Sequence, residues 1–572
     1  MMLVQAALLI VLAASAHAAA PYCLAGDDCF PSPAEFEQLE ETLQGNLIRS
    51  QPYGAPCYAA TYDADACLNL VNTVRTFGFR EEEAAAVMYV NNEITPNGSG
   101  CPVPMAPADG SAPPAIDGEC VLGNMAAYVV NATSADDVQV AVRFAAEHNL
   151  RLRIKNSGHD YTARSTGEGA FTIWTRHMDD VLLVEDFVPE GGDGPGVDVF
   201  SAGPGLNAQG VIDFGGANAR LGVTGYPPSV GAVGGYLLGG GMGPLAPLFG
   251  MAVDNVQQFE VVTADGEKRI VNEYINPDLF WALRGGGGAF AAVTRAWIRV
   301  YPALAAVNTV TGTLVCTNTS SYEGMVDALV DLQVPLRTHN HTGIWQLGGS
   351  TRSLLLIDIL PLQDGAEIPD LEASMELLEP LTTAPGCSAS FRPAQFLGNE
   401  SYVDAYYNAI WATAQLGSNP GRNIVDASRL VSYDMMLDPG KVSEIKDLIK
   451  NNNPSVPFIW QNNCGGAMTR IAPDATSVNP TWREAMSWVV LPVTGPWSGL
   501  TTEQGELLAD ANRRLQEVFG SPSYYNEQSG GLINWQDSWW GTNYDRLLSI
   551  KQQIDPDGVF SCPLCVGSEF GV

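Results

Sequence analysis

Positive charge is scarce in this chain. Its 572 residues include 29 Lys and Arg against 63 Asp and Glu, a formal net charge of −34. Such a surface repels nucleic acid and anionic membranes, which excludes both as partners. Any phosphate-bearing ligand must then be held by backbone N–H groups more than by lysine side chains. Only 16% of residues are charged and 46% are hydrophobic, so the chain is globular and long enough for more than one domain.

Several common catalytic motifs are missing. The sequence has no G-x-G-x-x-G and no P-loop, which leaves a Rossmann site or a nucleotide triphosphatase unsupported. Ser229 stands in Pro-Ser-Val-Gly, which lacks the first glycine of a nucleophile elbow. These absences direct attention to its glycine-dense segments.

No long hydrophobic run follows the N-terminus. The first 18 residues predict a secretory signal peptide, with an apolar core from Leu3 to about Ala14 and a cleavage site at Ala16-His17-Ala18. The run is too short for a membrane anchor. Five Asn-x-Ser/Thr sequons agree with a secreted, extracellular glycoprotein: Asn97, Asn131, Asn318, Asn340 and Asn399.

Cysteine, in contrast to positive charge, is plentiful. The chain has 11 cysteines, and five of them precede residue 102: Cys23, Cys29, Cys57, Cys67 and Cys101. In an oxidising compartment they predict disulfides in a Cys-rich N-terminal extension over residues 19–118, and the odd total leaves at least one cysteine unpaired. Cys562-Pro-Leu-Cys565 has no second C-x-x-C, which favours a structural disulfide over zinc. His339-Asn340-His341 is equally isolated, so we predict no metal site.

An orderly α/β unit follows the extension. "AAYVVN" predicts a strand, Ser134 and Asp137 form a capping-box arrangement at the start of a helix, and "LRLRIKN" predicts the next strand. This unit places the loop Asn156-Ser157-Gly158-His159 at a strand end, where α/β units commonly bind ligands. A second glycine-dense segment spans residues 223–243. Two such loops suit a dinucleotide whose pyrophosphate lies against bare backbone.

Five segments in order carry a resemblance. "RIKNSGHDY", "GYPPSVGAVGGYLLGGGMG", "DNVQQFEVVTADG", "FWALRGGGGAFAAVT" and "NYDRLLSIKQQIDPDGVF" resemble the berberine bridge enzyme-like FAD-linked oxidases. These belong to the vanillyl-alcohol oxidase/p-cresol methylhydroxylase flavoprotein superfamily. The resemblance runs from about residue 120 to the C-terminus, and residues 21–118 lie outside it with no role assigned beyond a structural one.

The resemblance implies an α+β fold. Two subdomains of p-cresol methylhydroxylase type would enclose FAD over residues 119–302, and an antiparallel sheet backed by helices would form a substrate domain over residues 303–512. Residues 513–572 would return to the FAD domain, with Asn543 and Tyr544 where the family's tail touches the cofactor.

The resemblance also implies how FAD is held. In the resembling enzymes the histidine of the first loop is bonded to the flavin 8α-methyl, and His159 matches it. The other residues expected to bind FAD come from the same loop, from the second glycine-dense segment and from the tail: Lys155, Asn156, Ser157, Gly158, Asp160, Gly225, Gly231, Gly234, Gly235, Gly239, Gly240, Asn543 and Tyr544. Many family members carry a second bond, from a cysteine to flavin C6. Pro227 occupies that place here, so the resemblance implies a single link through His159.

The reaction class follows from the cofactor. We expect hydride transfer from a small alcohol, phenolic or secondary-metabolite substrate to the flavin, with O2 as acceptor and peroxide as product. A tyrosine serves as base in this family, which points to Tyr524 or Tyr525, and Asn526 is expected to orient the substrate. Either tyrosine could equally be a core residue. The alternatives are a dehydrogenase with another acceptor, a carbohydrate oxidase, and a non-catalytic flavin-binding glycoprotein.

The middle of the chain is rich in aromatic residues that could line a pocket or lie in the core. They are Trp345, Tyr406, Tyr407, Trp411 and Trp460.

Overall fold

The computed structural model describes residues 22–359, 370–415, 420–496 and 499–570. The predicted signal peptide over residues 1–18 lies outside these ranges. Within them no helix is long and apolar enough to cross a membrane. Cysteine pairs lie at disulfide distance at Cys23–Cys29, Cys57–Cys67, Cys101–Cys120, Cys316–Cys387 and Cys562–Cys565. Cys464 is buried and unpaired, so the expected disulfides and the odd cysteine are both present.

The N-terminal extension is a set of short elements held by three of these disulfides. Its elements are α1 (Pro33–Thr42), β1 (Leu47–Arg49), α2 (Ala64–Thr73) and α3 (Phe77–Glu82). Strand β1 pairs antiparallel with Tyr128–Asn131. The extension therefore adds an edge strand to the sheet that follows it.

The first sheet contains the predicted strand–helix–strand unit. Its further elements are β2 (Tyr128–Asn131), α4 (Ala135–Glu147), β3 (Leu152–Lys155) and β4 (Phe171–Trp174), and the strand order is β1-β2-β4-β3. Ser134 and Asp137 form the predicted capping box at the start of α4. Val138, Val142 and Ala145 are buried on one face, which fixes the helix against the sheet.

A second, antiparallel sheet completes this half. In chain order the elements are β5 (Val181–Phe187), β6 (Val197–Ala202), α5 (Ala208–Ala217), β7 (Arg220–Leu221), α6 (Gly235–Leu238), α7 (Ala246–Phe249), β8 (Val256–Val262), β9 (Lys268–Val271), α8 (Pro277–Leu283), β10 (Ala292–Arg299) and β11 (Tyr301–Pro302). The five-stranded order is β5-β6-β10-β8-β9, and β7 pairs with β11. Strands β8 and β9 form a hairpin whose turn contains Asp265 and Gly266.

A seven-stranded antiparallel sheet, here called the capping sheet, dominates the middle of the chain. The elements are β12 (Ala306–Cys316), α9 (Thr319–Thr338), β13 (Thr342–Gly348), β14 (Ser353–Ile359), α10 (Leu371–Leu377), α11 (Glu379–Thr382), β15 (Cys387–Leu397), α12 (Ser401–Ala405), α13 (Trp411–Ala414), β16 (Asn423–Ser432), α14 (Tyr433–Leu437), α15 (Pro439–Lys450), β17 (Phe458–Gln461), β18 (Ala485–Gly495) and α16 (Thr502–Phe519). The strand order is β15-β12-β14-β13-β17-β18-β16.

Side chains of the capping sheet alternate between two environments. Trp345, Leu354, Leu356 and Trp460 pack in one core with residues of α9, α15 and α16. Their neighbours on the other face point toward the half of the molecule that contains the first two sheets. The chain ends with α17 (Trp535–Trp540) and α18 (Tyr544–Ile554), which pack in the largest core cluster with that half. The observed architecture is the expected α+β fold.

Candidate functional site

A cavity of about 440 Å³ lies between the capping sheet and the two sheets before it. The loop after β3 and the second glycine-dense segment form one wall, and the free face of the capping sheet forms the opposite one. Phe77, Met88 and Tyr89 of the N-terminal extension close one side. The extension therefore contributes to the site, which the sequence did not reveal because these residues lie outside the family resemblance.

The loop after β3 presents main-chain donors. Ser157, Gly158 and His159 line the cavity, and their N–H groups have no hydrogen-bond acceptor within the described ranges. The Asn156 side chain donates to the Pro204 carbonyl at 2.6 Å, while its Oδ1 is buried without a partner there. Gly158 has φ +80°, a conformation that favours glycine. Consecutive free N–H groups of this kind form a nest for an anion.

His159 is held by a serine and aromatic rings. Its Nε2 lies 2.7 Å from the Ser229 hydroxyl. Phe77 stacks on the imidazole at a centroid distance of 6.0 Å, and Tyr89 meets it edge-on. Burial lowers the pKa of His159 to about 3. The ring is therefore neutral at physiological pH, with Nε2 engaged and Nδ1 the remaining nitrogen.

The second glycine-dense segment packs directly against this loop. The Ser157 hydroxyl accepts from the Gly231 N–H at 3.2 Å, and a side chain at Gly231 would collide with Asn156. Gly225, Gly231, Gly234 and Gly235 line the cavity.

Gly239 and Gly240 lie behind the wall. A β-carbon at Gly239 would come within 2.0 Å of the Asn526 amide oxygen, so these glycines let the segment pack closely against residues 524–526.

Two charged residues of the first loop have structural partners. Asp160 accepts from the Arg164 N–H at 2.5 Å and pairs with its guanidinium at 3.4 Å. The Lys155 ammonium is buried and donates to the carbonyls of Glu83 and Ala84 in the extension, at 2.7 and 3.0 Å. Burial lowers the pKa of Lys155 to about 7. Asp160 lines the cavity and Lys155 stands behind it.

Tyr524, Tyr525 and Asn526 all reach the cavity wall. The Tyr524 hydroxyl accepts from the Met242 N–H at 3.2 Å and from the Asn526 amide at 3.0 Å. The Tyr525 hydroxyl instead lies 3.6 Å from Cys565, and its ring packs under Arg164 at 3.6 Å. Burial raises the pKa of both tyrosines.

Asn543 and Tyr544 do not line the cavity. The Asn543 amide donates to the Val478 carbonyl at 2.8 Å, and the Tyr544 hydroxyl pairs with Glu569. Both positions brace the C-terminal segment. The structure thus gathers the two loops and residues 524–526 at one site and leaves these two residues outside it.

Two carboxylates in the wall were not expected from the sequence. Asp426 on β16 is 3% exposed, and its Oδ1 has no hydrogen-bond partner in the described residues. Glu527 follows directly after the predicted tyrosines, and its Oε2 accepts from Gln461 at 2.8 Å and from Trp488 at 3.0 Å. Burial raises the pKa of Glu527 to about 6. Burial and the nearby Glu527 charge raise that of Asp426 to about 7.

Other residues that the sequence singled out can be located relative to this site. Among the five aromatic residues of the middle region, only Trp411 lines the cavity. Trp345 and Trp460 lie in the core between the capping sheet and its helices. Pro227, which occupies the place of the second flavin-linked cysteine of many family members, lines the wall. No cluster of three or more His, Cys, Asp or Glu in the described residues could hold a metal ion. His341 is buried against Asp358, at 2.7 Å.

Comparisons with known proteins bear on this geometry. A family model described as "FAD binding domain" matches residues 126–272, and one described as "Berberine and berberine like" matches residues 523–567. The chain is 31% identical to the VAO-type flavoprotein oxidase VAO615 of Thermothelomyces thermophilus, over 97% of this chain and 94% of that protein.

Two solved structures extend this comparison. The VAO-type flavoprotein MtVAO615 from Myceliophthora thermophila C1 is 28% identical with a TM-score of 0.80, covering 96% of this chain and 97% of that one. A glucooligosaccharide oxidase of Acremonium strictum, described with a 6-S-cysteinyl, 8α-N1-histidyl FAD, shares the fold. It has 18% identity and a TM-score of 0.63, over 88% of this chain and 99% of that one.

Proposed function

The chain belongs to the VAO-type FAD-linked oxidoreductases, and on that premise we propose that it oxidises an apolar small molecule on FAD held through His159. The observation that supports this proposal is that two chemically different walls face each other across the cavity. Free N–H groups and His159 face a mostly apolar sheet across one cavity. We assign residues 119–302 to FAD binding, 303–512 to the substrate domain and 513–572 to the returning tail.

The residues present suit FAD. The pyrophosphate would be held by the N–H groups of Ser157, Gly158 and His159, together with the backbone of Gly234 and Gly235. Reliance on backbone donors agrees with the chain's net charge of −34. When bound, FAD supplies a hydride acceptor that O2 reoxidises with release of peroxide.

His159 is suited to a covalent link. Its neutral ring has a nucleophilic nitrogen, and Ser229 occupies Nε2, which leaves Nδ1 for the bond to FAD. A second link has no candidate in the wall, since Pro227 cannot form one and Cys562 is paired with Cys565. We therefore retain the single linkage.

The opposite wall favours an apolar substrate. Seven of the eleven residues that line the cavity from the strands of the capping sheet are apolar, and they include Ile344, Leu355, Ile357, Ile459 and Val490. The other four are Gln346, Asp426, Gln461 and Thr494. A sugar would need many hydrogen-bonding partners there, and a buried hydroxyl without a partner costs about 1–3 kcal/mol. Carbohydrate oxidation is therefore the weaker candidate, and an alcohol, phenolic or other secondary metabolite is the stronger.

Glu527 is the better proton acceptor on this side. Substrate oxidation requires loss of an O–H or N–H proton to a nearby base. Tyr524 receives two N–H donors that would stabilise a phenolate, but burial holds its pKa above the ordinary value and keeps it protonated. The pKa of Glu527, about 6, leaves it ionised at neutral pH. Glu527 would thus take the proton, with Tyr524 and Asn526 positioning the substrate.

Secretion stays part of the proposal. The five disulfides suit an oxidising compartment, and Asn97, Asn318, Asn340 and Asn399 are exposed. Asn131 is partly buried, and its amide lies 2.6 Å from His177.

Acid precipitation and a substrate panel test the function. We expect a yellow pellet with no flavin in the supernatant, and one flavin-bearing peptide, which contains His159. Anaerobic addition of an apolar substrate should bleach the flavin, and air should restore it with one peroxide per turnover. Flavin released wholly into the supernatant, or a second flavin bond to a cysteine peptide, would contradict the linkage. Bleaching without reoxidation by air would instead indicate a dehydrogenase.

A further inference from the structure

The strands of the capping sheet bring one charged side chain to the cavity wall. The strands of the capping sheet contribute about a dozen residues to the wall, and among the described ones Asp426 alone is charged. Asp426 is nearly inaccessible, and its Oδ1 has no protein partner among them. A buried carboxylate oxygen without a partner costs free energy unless a ligand satisfies it.

The backbone places Glu527 beside Asp426. The Asp426 N–H donates to the Ser529 hydroxyl at 2.9 Å, and its carbonyl accepts from the Ser529 N–H at 2.9 Å. Two residues along, the Ser428 N–H donates to the Gln528 side chain at 2.6 Å. These bonds fix residues 527–529 along β16. Gln461 and Trp488 both donate to Oε2 of Glu527, and Oε1 has no bond from the described residues.

Among the described residues, no cation pairs with these two carboxylates. Tyr161 lines the cavity with Asp426, and Tyr89 stacks on Tyr161 at 4.2 Å. Two arginines line the cavity elsewhere, and both are engaged. Arg164 pairs with Asp160, and Arg153 donates to the carbonyls of Thr166 and Leu152. The two carboxylates thus line the cavity with no counter-charge from the part of the chain that the structure describes.

We propose that Asp426 and Glu527 together bind the protonated nitrogen of the substrate, so that this enzyme takes an apolar amine as its ammonium ion. An ammonium supplies the N–H donors that Oδ1 and Oε1 lack, and charge-assisted hydrogen bonds of this kind are strong. The apolar strands accommodate the rest of the molecule. Transfer of a proton from the bound nitrogen to Glu527 would leave the neutral amine. This inference rests on the proposed function and specifies its substrate class.

The proposal predicts how binding depends on pH. The pKa values of Asp426 and Glu527, about 7 and 6, make both carboxylates ionised at pH 8 and protonated at pH 5. Burial raises the pKa of Tyr89 and Tyr161, so both stay uncharged, and His159 stays neutral. Asp160 remains paired with Arg164. Ammonium affinity should therefore rise from pH 5 to pH 8.

Three probes that share one ring test this selectivity on the purified holoenzyme. Benzylamine, benzyl alcohol and benzoate are titrated anaerobically, with binding read from the flavin spectrum and from the thermal unfolding midpoint. At pH 8 we expect benzylamine to bind about tenfold or more tightly than benzyl alcohol, and benzoate most weakly. The preference should vanish at pH 5. Equal affinity for amine and alcohol at pH 8 would overturn the proposal.

Variants of Asp426 and Glu527 test whether these two carboxylates cause the preference for the amine. Asp426→Asn and Glu527→Gln should each reduce benzylamine affinity about tenfold and leave benzyl alcohol affinity unchanged. Glu506→Gln, on the exposed side of α16, is the matched control and should change neither. Unchanged amine affinity in both carboxylate variants would refute the assignment. Failure of the flavin linkage would appear separately, as free flavin after acid treatment, while the unfolding midpoint still reports amine preference.

Discussion

The two walls of the cavity are built in different ways. The loop wall consists of residues 156–160 and 225–235, where glycines, a histidine and free N–H groups come from two short segments. The capping-sheet wall collects side chains from five strands spread between residues 344 and 494. The first wall depends on backbone conformation, which local sequence encodes. The second depends on strand register, which places every second residue in the cavity. Under the proposed function, cofactor binding would thus be encoded locally and substrate choice by the sheet as a whole.

The largest expected effect tests the loop wall. His159→Ala removes the only proposed attachment atom, so covalent flavin should fall to zero by acid precipitation. Some FAD should still bind, because the N–H groups of Ser157 and Gly158 remain, and turnover should slow by about tenfold or more. His177→Ala is the control, since His177 lies outside the cavity and contacts Asn131. Covalent flavin that persists in His159→Ala would move the attachment to another residue.

Much of the loop wall could be predicted from sequence. The strand–helix–strand unit, the Ser134 cap and the His159 loop rest on turn chemistry and periodicity within a few residues. The capping-sheet wall could not be predicted in this way. Asp426 and Glu527 lie about 100 residues apart in sequence, and only the bonds between β16 and Ser529 bring them together. Asp426 does not stand out in its strand either, because β16 also contains Asn423, Ser428 and Arg429.

The contribution of the N-terminal extension to the site could not be predicted from sequence either. Phe77 and Tyr89 reach His159 because Val90 bonds to the Arg422 carbonyl at 3.2 Å and Met88 bonds to Gly158 at 3.0 Å. No motif in residues 19–118 indicates those long-range contacts.

The next largest effect tests the sheet side. Glu527→Gln keeps the shape and the bonds to Gln461 and Trp488 but removes the proton acceptor. We expect kcat to fall about 10²–10³-fold with the flavin content unchanged. Tyr524→Phe should cost less, and Tyr525→Phe less still, because its hydroxyl faces Cys565. Full kcat in Glu527→Gln with a large loss in Tyr524→Phe would return the base role to the tyrosine.

A smaller expected effect tests whether Ser229 positions His159 for its attachment to FAD. Ser229→Ala removes the hydroxyl that engages His159 Nε2. A hydrogen bond of this kind contributes about 1 kcal/mol, so attachment of FAD to apoprotein should slow about threefold to tenfold. Ser229→Thr should restore it. The measurement is covalent flavin against time, independent of turnover. An unchanged attachment rate in Ser229→Ala would reduce Ser229 to a packing role.

The smallest effect concerns the stability cost of the sheet wall. The pKa of Asp426 is about 7 in the folded protein, against about 3.9 in an unfolded chain. A group with a raised folded pKa stabilises the fold fully below the unfolded value, and that stability is lost as pH rises through about 7. Asp426→Asn has no charge to bury, so its unfolding midpoint should exceed that of the parent by a few degrees at pH 8 and by less at pH 5. Glu506→Gln, which is exposed, should show no such pH dependence. A gain in stability with a loss of amine affinity would show that the carboxylate is kept for binding rather than for folding, whereas equal destabilisation at both pH values would make Asp426 a structural residue.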